Sequence, residues 1–413
     1  MLSSHYCHRV LLVEVYFATL VLCFSYIRWN LESHREMANV ENKTLQESIH
    51  MTGGDGPCSY TQNSSFQKEV VDATKGIVMK GITETIDFKS PCFDSWNKVV
   101  IADFGCSAGP NTFIAVKNMI ESVELKYRAQ KQGSSPLEFQ VFFNDLTGND
   151  FNTLFKALPS YQKYYAAGVP GSFFVRLFPK SSLHIAHSSY ALHWLSRVPR
   201  QVVDPQSPAW NKGSIHCTGH DREVRKAYLA QFLNGMDDFL AARAQEIVGG
   251  GLMIIHVPGL PEGVLMSQTN TGRLYDFLGL CLADLAKMGV LNQEKVDSFN
   301  LPLYYSTVKE WEEIIIERNR CFTIESMKTW THPMLHGKPS SGESGYLQFR
   351  AIFEGILKQH FGEQNVVDQI FSYLVNKFAE SSSMFDGLMH NQIDICILLK
   401  RKIINVKLVH IFH

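Results

Sequence analysis

Residues Lys98–Thr112 read KVVIADFGCSAGPNT. Lys98 to Ala102 is a short run rich in β-branched residues, the pattern of a strand buried on both faces of a parallel sheet. It runs into Asp103 and a loop holding Gly105 and Gly109. Behind the loop, Thr112 to Arg128 has the apolar spacing of an amphipathic helix. Strand, acid, glycine-containing turn and helix in that order make a nucleotide-cofactor site: glycine lets the backbone approach the ligand, and the helix N-terminus offers free N–H groups.

Two details narrow the cofactor. In a dinucleotide fingerprint G-x-G-x-x-G, the second glycine seats a pyrophosphate. Ser107 stands at that place here, giving G-x-x-x-G, so a pyrophosphate is disfavoured. The Asp103 carboxylate suits the ammonium of a cofactor that carries an amino acid, and S-adenosylmethionine has that ammonium and no phosphate. Glu138 to Phe143 reads as a second strand ending at Asn144 and Asp145, and an acid there accepts hydrogen bonds from ribose hydroxyls in such folds.

Outward from this centre the pattern repeats. A helical spacing runs from Phe66 to Ile86, and Phe173–Leu177 and Leu183–Ala186 are further apolar runs. Asp221 to Val248 reads as a long helix closed by Gly249, Gly250 and Gly251, with a buried strand at Leu252–Val257. Strands alternating with helices predict an α/β fold of the class I methyltransferase type, a doubly wound, mostly parallel sheet with a helical cap. From Pro258 to about Gly345 the alternation stops. Tyr346–Glu380 is helical again and Ile393–Leu399 is a last strand. The expected organisation is an extension at 1–36, a cofactor-binding core at 37–257 and 346–402, a helical substrate cap at 258–345 and a tail at 403–413.

The bulk properties restrict the partners. The formal net charge of −1, with no basic tract longer than Lys400-Arg401-Lys402, provides no electrostatic footprint for nucleic acid. The nine cysteines are scattered, odd in number and never arranged as C-x-x-C, which fits reduced thiols in the cytoplasm. Val10 to Ile27 is an apolar stretch with one charge, Glu14. It is at the short limit for a membrane span and lacks a small-x-small cleavage site, and Met37 reads as an alternative start. Anchor, signal and a segment outside the working enzyme stay open for it.

Several collinear blocks carry a resemblance: SYTQNSSFQ (Ser59–Gln67), IADFGCSAGPNT (Ile101–Thr112), FNDLTGNDFNTLF (Phe143–Phe155), AAGVPGSFFVRLFP (Ala166–Pro179), HSSYALHWLS (His187–Ser196), WNKG (Trp210–Gly213) and VDSFNLP (Val296–Pro302). With these the chain resembles the SABATH family of plant S-adenosylmethionine-dependent carboxyl methyltransferases, nearest the branch acting on loganate and indole-3-acetate. The resemblance implies cofactor contacts at Tyr60, Ser64, Asp103, Cys106, Asn111, Asp145, Leu146, Ser172, Phe173 and Ser189. It implies a substrate wall of Gln67, Tyr190, His193 and Trp194. It also implies a homodimer and a structural magnesium ion held by Asn211, Asp297, Phe299 and Asn300. The family's usual M-K-G-G is Met51-Thr52-Gly53-Gly54 here, so a cation near the substrate carboxylate is missing, and Leu303 lies where some iridoid-acid enzymes place a polar residue.

The implied chemistry is methylation of a small-molecule carboxylic acid of the loganate, indole-3-acetate or salicylate type. A carboxylate is ionised at neutral pH, so no general base is required and the protein's task is positioning. Three rivals remain: N-methylation of a xanthine-like heterocycle, a nicotinamide-dependent oxidoreductase, which Ser107 opposes, and a silent binding protein. His184, His187 and His193 are close in sequence, but the first two are expected on a strand and His193 on the following helix, against a zinc cluster.

Overall fold

A computed structural model describes residues 50–89, 93, 97–131, 135–219, 221–331, 343–380 and 392–403. Helix α1 (Ser65–Thr85) precedes strand β1 (Lys98–Phe104), α2 (Asn111–Gln130), β2 (Glu138–Asp145), α3 (Phe151–Lys156), β3 (Tyr165–Pro170) and β4 (Leu183–Ser189). Then come α4 (Arg200–Val203), α5 (Arg222–Glu246), β5 (Ile247–Gly259), α6 (Asn270–Lys287), α7 (Gln293–Ser298) and α8 (Val308–Glu312). Strand β6 (Phe322–Trp330), α9 (Glu343–Phe361), α10 (Gln364–Glu380) and β7 (Ile393–Arg401) complete the described elements.

The strands form one sheet in the order β3-β2-β1-β4-β5-β7-β6. β1 to β5 run parallel, and β7 runs antiparallel to both β5 and β6. This is the doubly wound, mostly parallel class I methyltransferase arrangement. The chain winds from β1 out to β3, then crosses to β4 on the other side of β1. The carboxyl ends of β1 and β4 therefore flank the switch point where such sheets bind ligands.

Both faces of the sheet are covered, which is why β1 reads as a continuous apolar run. Val100, Ala102 and Phe104 pack with Tyr228, Phe232 and Phe239 of α5. Val99 and Ile101 point the other way, toward Ile82 of α1 and Val116 and Ile120 of α2. Each such side chain stabilises the fold by roughly 1.5–3 kcal/mol on burial. A third cluster joins Tyr275, Leu278 and Leu282 of α6 to Phe353 and Leu357 of α9 and Phe371 of α10.

Three sequence expectations need correction. The alternation does not stop at Pro258: Phe322–Trp330, inside the expected cap, is an edge strand of the sheet. Its period is hidden by a register shift between Ile324 and Ser326 and by the charged residues Glu325 and Lys328, which suit an exposed edge. Helices α9 and α10, expected in the core, pack with α6 in the third cluster instead; of segment 346–402 only β7 joins the sheet. Finally, Gly249–Gly251 do not close α5. The helix ends at Glu246 and β5 runs through the glycines, where a Cβ on Gly251 would lie 2.9 Å from the His184 carbonyl oxygen. The glycines allow close strand approach.

No described helix is long and apolar enough to cross a membrane. The segment Val10–Ile27 and the tail from residue 404 lie outside the described residues.

Candidate active site

The loop after β1 is shaped by close approach. Gly105 adopts φ +80°, and a Cβ there would fall 2.3 Å from the Cβ of Ala191 in the turn after β4. Only glycine meets both conditions. The N–H groups of Gly105 and Cys106 donate to the Asn144 carbonyl at 2.9 and 3.0 Å, tying the loop to the end of β2. Ser107, at φ +52°, donates its N–H to Asp145 Oδ2 at 2.7 Å, and Leu146 N–H donates to Asp145 Oδ1 at 2.7 Å. Burial pushes the Asp145 carboxyl up to about 6, against the pull of those two donors. Each oxygen keeps a second lone pair, the capacity a ribose diol needs.

Asp103 lies at the carboxyl end of β1. It is 3% exposed, and its two oxygens face Thr112 Oγ1 and His187 Nδ1, the latter at 2.7 Å. The carboxylate joins β1, α2 and β4 and, like Asp145, keeps a second lone pair on each oxygen. The sequence did not pair His187 or Thr112 with Asp103, because the contact spans three elements. Cys106 is buried, and burial and the two nearby acids push its thiol well up, so it is a neutral wall group.

The segment before α1 folds over this loop. Tyr60 N–H donates to the Thr52 carbonyl at 2.8 Å, Thr61 Oγ1 to the Ala108 carbonyl at 3.1 Å, and Gly54 N–H to Asp150 Oδ2 at 2.8 Å. Asn111 Nδ2 donates to the carbonyl and hydroxyl of Ser64 at 2.9 and 3.0 Å. A Cβ on Gly109 would meet the Tyr60 ring and Ser64 Oγ, both at 3.3 Å. The Tyr60 phenol is pushed up by burial and by Asp145 and Asp103. Tyr60, Ser64, Cys106, Asn111, Asp145 and Leu146 are thus brought together.

Ser172 and Phe173 lie in a loop beyond β3 that the sequence left unexplained. A buried ion pair clamps it. Arg243 Nε donates to Glu246 Oε2 at 2.6 Å, and its terminal nitrogens reach the carbonyls of Phe173 and Val175 at 2.9 and 3.0 Å. Glu246 Oε1 accepts the N–H groups of Leu177 and Phe178 at 2.5 and 2.9 Å. Asn144 Nδ2 holds the near end through the Val169 and Gly171 carbonyls, both at 2.8 Å.

The turn after β4 forms the other wall. Tyr190 has φ +54° and donates its N–H to the His256 carbonyl at 2.9 Å and its hydroxyl to Asp394. Phe66 of α1 packs edge-on against it at 5.7 Å. The His193 ring lies 5.8 Å from both Tyr190 and Tyr305 and 5.9 Å from Trp194, whose own ring faces Phe353 at 6.3 Å. His193 and Trp194 sit in this turn, not on the helix that the sequence suggested; the left-handed Tyr190 ends the strand without starting a helix. Burial pulls His193 down to about 3, so the ring is neutral. Its Nδ1 and Gln67 Oε1 are buried with no partner among the described residues. A buried polar atom left unmet costs about 1–3 kcal/mol, so such atoms in a cleft point to a ligand.

The three histidines part company. His184 Nδ1 accepts Val100 N–H at 2.9 Å, His187 faces Asp103, and His193 stands in the wall. The magnesium set is also engaged internally. Asn300 Oδ1 accepts Asn211 Nδ2 at 2.7 Å and Tyr228 OH at 3.3 Å. Asp297 accepts Gln293 Nε2 at 2.8 Å and faces Lys212 Nζ at 3.8 Å, and the Phe299 ring is packed between His360 and Phe361. Asn300 Oδ1 and Asp297 Oδ1 thus each have a protein donor.

Comparison with known proteins gives the family. A family model described as SAM dependent carboxyl methyltransferase matches residues 46–402. The loganic acid O-methyltransferase of Catharanthus roseus is 49% identical over 361 residues, covering 87% of this chain and 96% of the relative. A farnesoic acid carboxyl-O-methyltransferase of Arabidopsis thaliana is 47% identical over 288 residues, covering 70% and 81%. A solved loganic acid methyltransferase with SAH superposes with a TM-score of 0.80 at 48% identity, covering 86% of this chain and 99% of that one.

Proposed function

The chain belongs to the S-adenosylmethionine-dependent carboxyl methyltransferases and is a carboxyl O-methyltransferase; we propose that its acid is a small, largely apolar carboxylate held by Gln67, His193 and Trp194. The observation that carries this reading is a neutral His193 packed beside Tyr190 and Trp194, with its Nδ1 and the Gln67 Oε1 both buried and unmet among the described residues. Turning the Gln67 amide presents its N–H donors, Trp194 supplies an indole N–H and His193 a ring N–H. Three neutral donors hold a carboxylate without the lysine that Thr52 replaces. Thr52 is tied by its backbone to Ala351 and Tyr60.

The cofactor residues fit S-adenosylmethionine on the structure's own terms. Asp145 keeps free lone pairs, Ser107 Oγ is buried without a partner, and Gly109 leaves space between Tyr60 and Ser64. Tyr60, Ser64, Cys106, Asn111, Asp145, Leu146, Ser172, Phe173 and Ser189 would hold it, with Asp103 acting through Thr112 and His187. When bound, that cofactor supplies a methyl group on a sulfonium centre. The chain's residues align the carboxylate oxygen with it and exclude water, and positioning of this kind removes about 7–11 kcal/mol of barrier. No residue has to accept a proton.

The buried Leu303, paired with Trp194 through a backbone bridge, lines the wall with hydrocarbon where a more polar acid would need a donor. A xanthine-type nitrogen acceptor is the weaker reading. The resemblance further supports a cytoplasmic homodimer, to be checked by fractionation and light scattering. Incubation with labelled S-adenosylmethionine and a panel of terpenoid, aromatic and indolic acids together with xanthines tests the assignment. Base-labile methyl esters are expected, and label found only on nitrogen would overturn it.

A further inference from the structure

The acid-binding side holds a group that the carboxylate clamp does not use. Asp394 is the second residue of β7 and pairs with Pro258 near the end of β5. Because β7 is antiparallel, its first residues come to the same end of the sheet as Ser189, Tyr190 and the glycine loop, the end where ligands bind in such sheets. Asp394 is 1% exposed. Its Oδ1 accepts the Tyr190 hydroxyl, and its Oδ2 is buried with no partner among the described residues.

Two further observations separate this carboxyl from a plain anchor for Tyr190. No described cation forms an ion pair with it, and burial pushes it up to about 7. An anchor needs one acceptor, which an amide or a backbone carbonyl supplies without burying a second, unmet oxygen. Tyr190 itself is held at φ +54°, a conformation that persists where the surroundings over-determine it and that clusters at ligand sites. Around it, Tyr305 is committed to Tyr275 through a 2.9 Å hydroxyl contact, whereas His193 Nδ1 is unmet like Asp394 Oδ2. The wall therefore has more polar capacity than one carboxylate fills.

Building on the carboxyl methyltransferase assignment, we propose that the free oxygen of Asp394, beside Tyr190, accepts a hydrogen bond from a hydroxyl group on the substrate. The enzyme is then selective for hydroxylated carboxylic acids over their deoxy counterparts. The Leu303 and Phe353 side of the pocket takes the hydrocarbon frame, and Asp394 reads one hydroxyl on it.

The test is kcat/KM for matched pairs: cyclohexanecarboxylate with its 3- and 4-hydroxy derivatives, and benzoate with the hydroxybenzoates. Wild-type enzyme is expected to prefer the hydroxylated member of at least one pair by about tenfold or more, since a site built to bind a hydroxyl strongly rejects an analogue lacking it. Asp394→Leu, and Asp394→Asn where the former does not fold, should bring that pair within about threefold, with S-adenosylhomocysteine binding retained. Tyr190→Phe, which leaves both carboxyl oxygens, should keep the preference. Equal use of every pair by the wild type, or a preference undiminished in both Asp394 variants, overturns the subsite and leaves the activity standing. Methyl transfer to no acid at all overturns the carboxyl reading, and the subsite with it.

Discussion

At the glycine loop the two carboxylates, Asp103 and Asp145, have every oxygen met by another group of the protein, while across the site the carboxyl of Asp394 has one oxygen met and one left over. Both oxygens of Asp103 and both of Asp145 have protein partners, although the neighbouring Ser107 Oγ and Asn144 Oδ1 are unmet among the described residues. On the acid side Gln67 Oε1, His193 Nδ1 and Asp394 Oδ2 have no partner among the described residues. The difference shows a division of work. On the proposed assignment, the two carboxylates of the cofactor half are fixed by the protein before any ligand arrives, and Asp394 keeps hydrogen-bonding capacity for the ligand itself. Reactions that depend on alignment need the first, and selection among acids needs the second.

The contrast can be broken most severely at Gly105. Gly105→Ala combines a left-handed backbone with a Cβ 2.3 Å from Ala191, and strain and overpacking together cost about 2–6 kcal/mol. Calorimetry should find S-adenosylhomocysteine binding weakened by about 100-fold or more. Near-normal affinity would mean the loop is not rigid. Trp194→Ala should act only on the other half. Its kcat/KM is expected to fall by about 100-fold from lost alignment while cofactor affinity stays within about threefold. Turnover close to wild type in that variant would remove the indole from the clamp.

The smallest effect is expected from pH. The Asp145 carboxyl stands at about 6 in the ligand-free site, above its ordinary 3.8. Ribose hydroxyls donate to the ionised form, so binding favours deprotonation. Affinity for S-adenosylhomocysteine should therefore be full above about pH 7 and fall as pH drops through about 6, by at most about tenfold per unit. A flat profile by calorimetry would take Asp145 away from the ribose. His193, pulled down to about 3, should add no inflection of its own to kcat/KM in this range.

The sheet was legible wherever local pattern and burial agree. KVVIADF is buried almost throughout, and the expected strand falls within β1. The edges were not. β3, YAAGVP, is built from small and half-exposed residues with no apolar period, and β6 carries charge and a register shift. Asp103 was singled out in the sequence, but its protein partners were not. Its partners His187 and Thr112 come from two other elements, and no spacing along the chain records that contact. The clamp of Arg243 and Glu246 on the Ser172 loop was invisible for the same reason.

By itself the sequence determined the strand, loop and helix at residues 101–112 and the strand end at 143–146, where local pattern sets the geometry, while Tyr60, Ser64, Ser172, Phe173 and Ser189 came from the resemblance alone. Only the tertiary structure decided the acid half. Gln67, Tyr190, Leu303, Phe353 and Asp394 are scattered over more than 300 residues of chain. Whether a buried polar atom is met depends on which of them the fold brings within about 3 Å. Hydrogen bonding is short-ranged and directional, so that outcome exists only after the layers have packed.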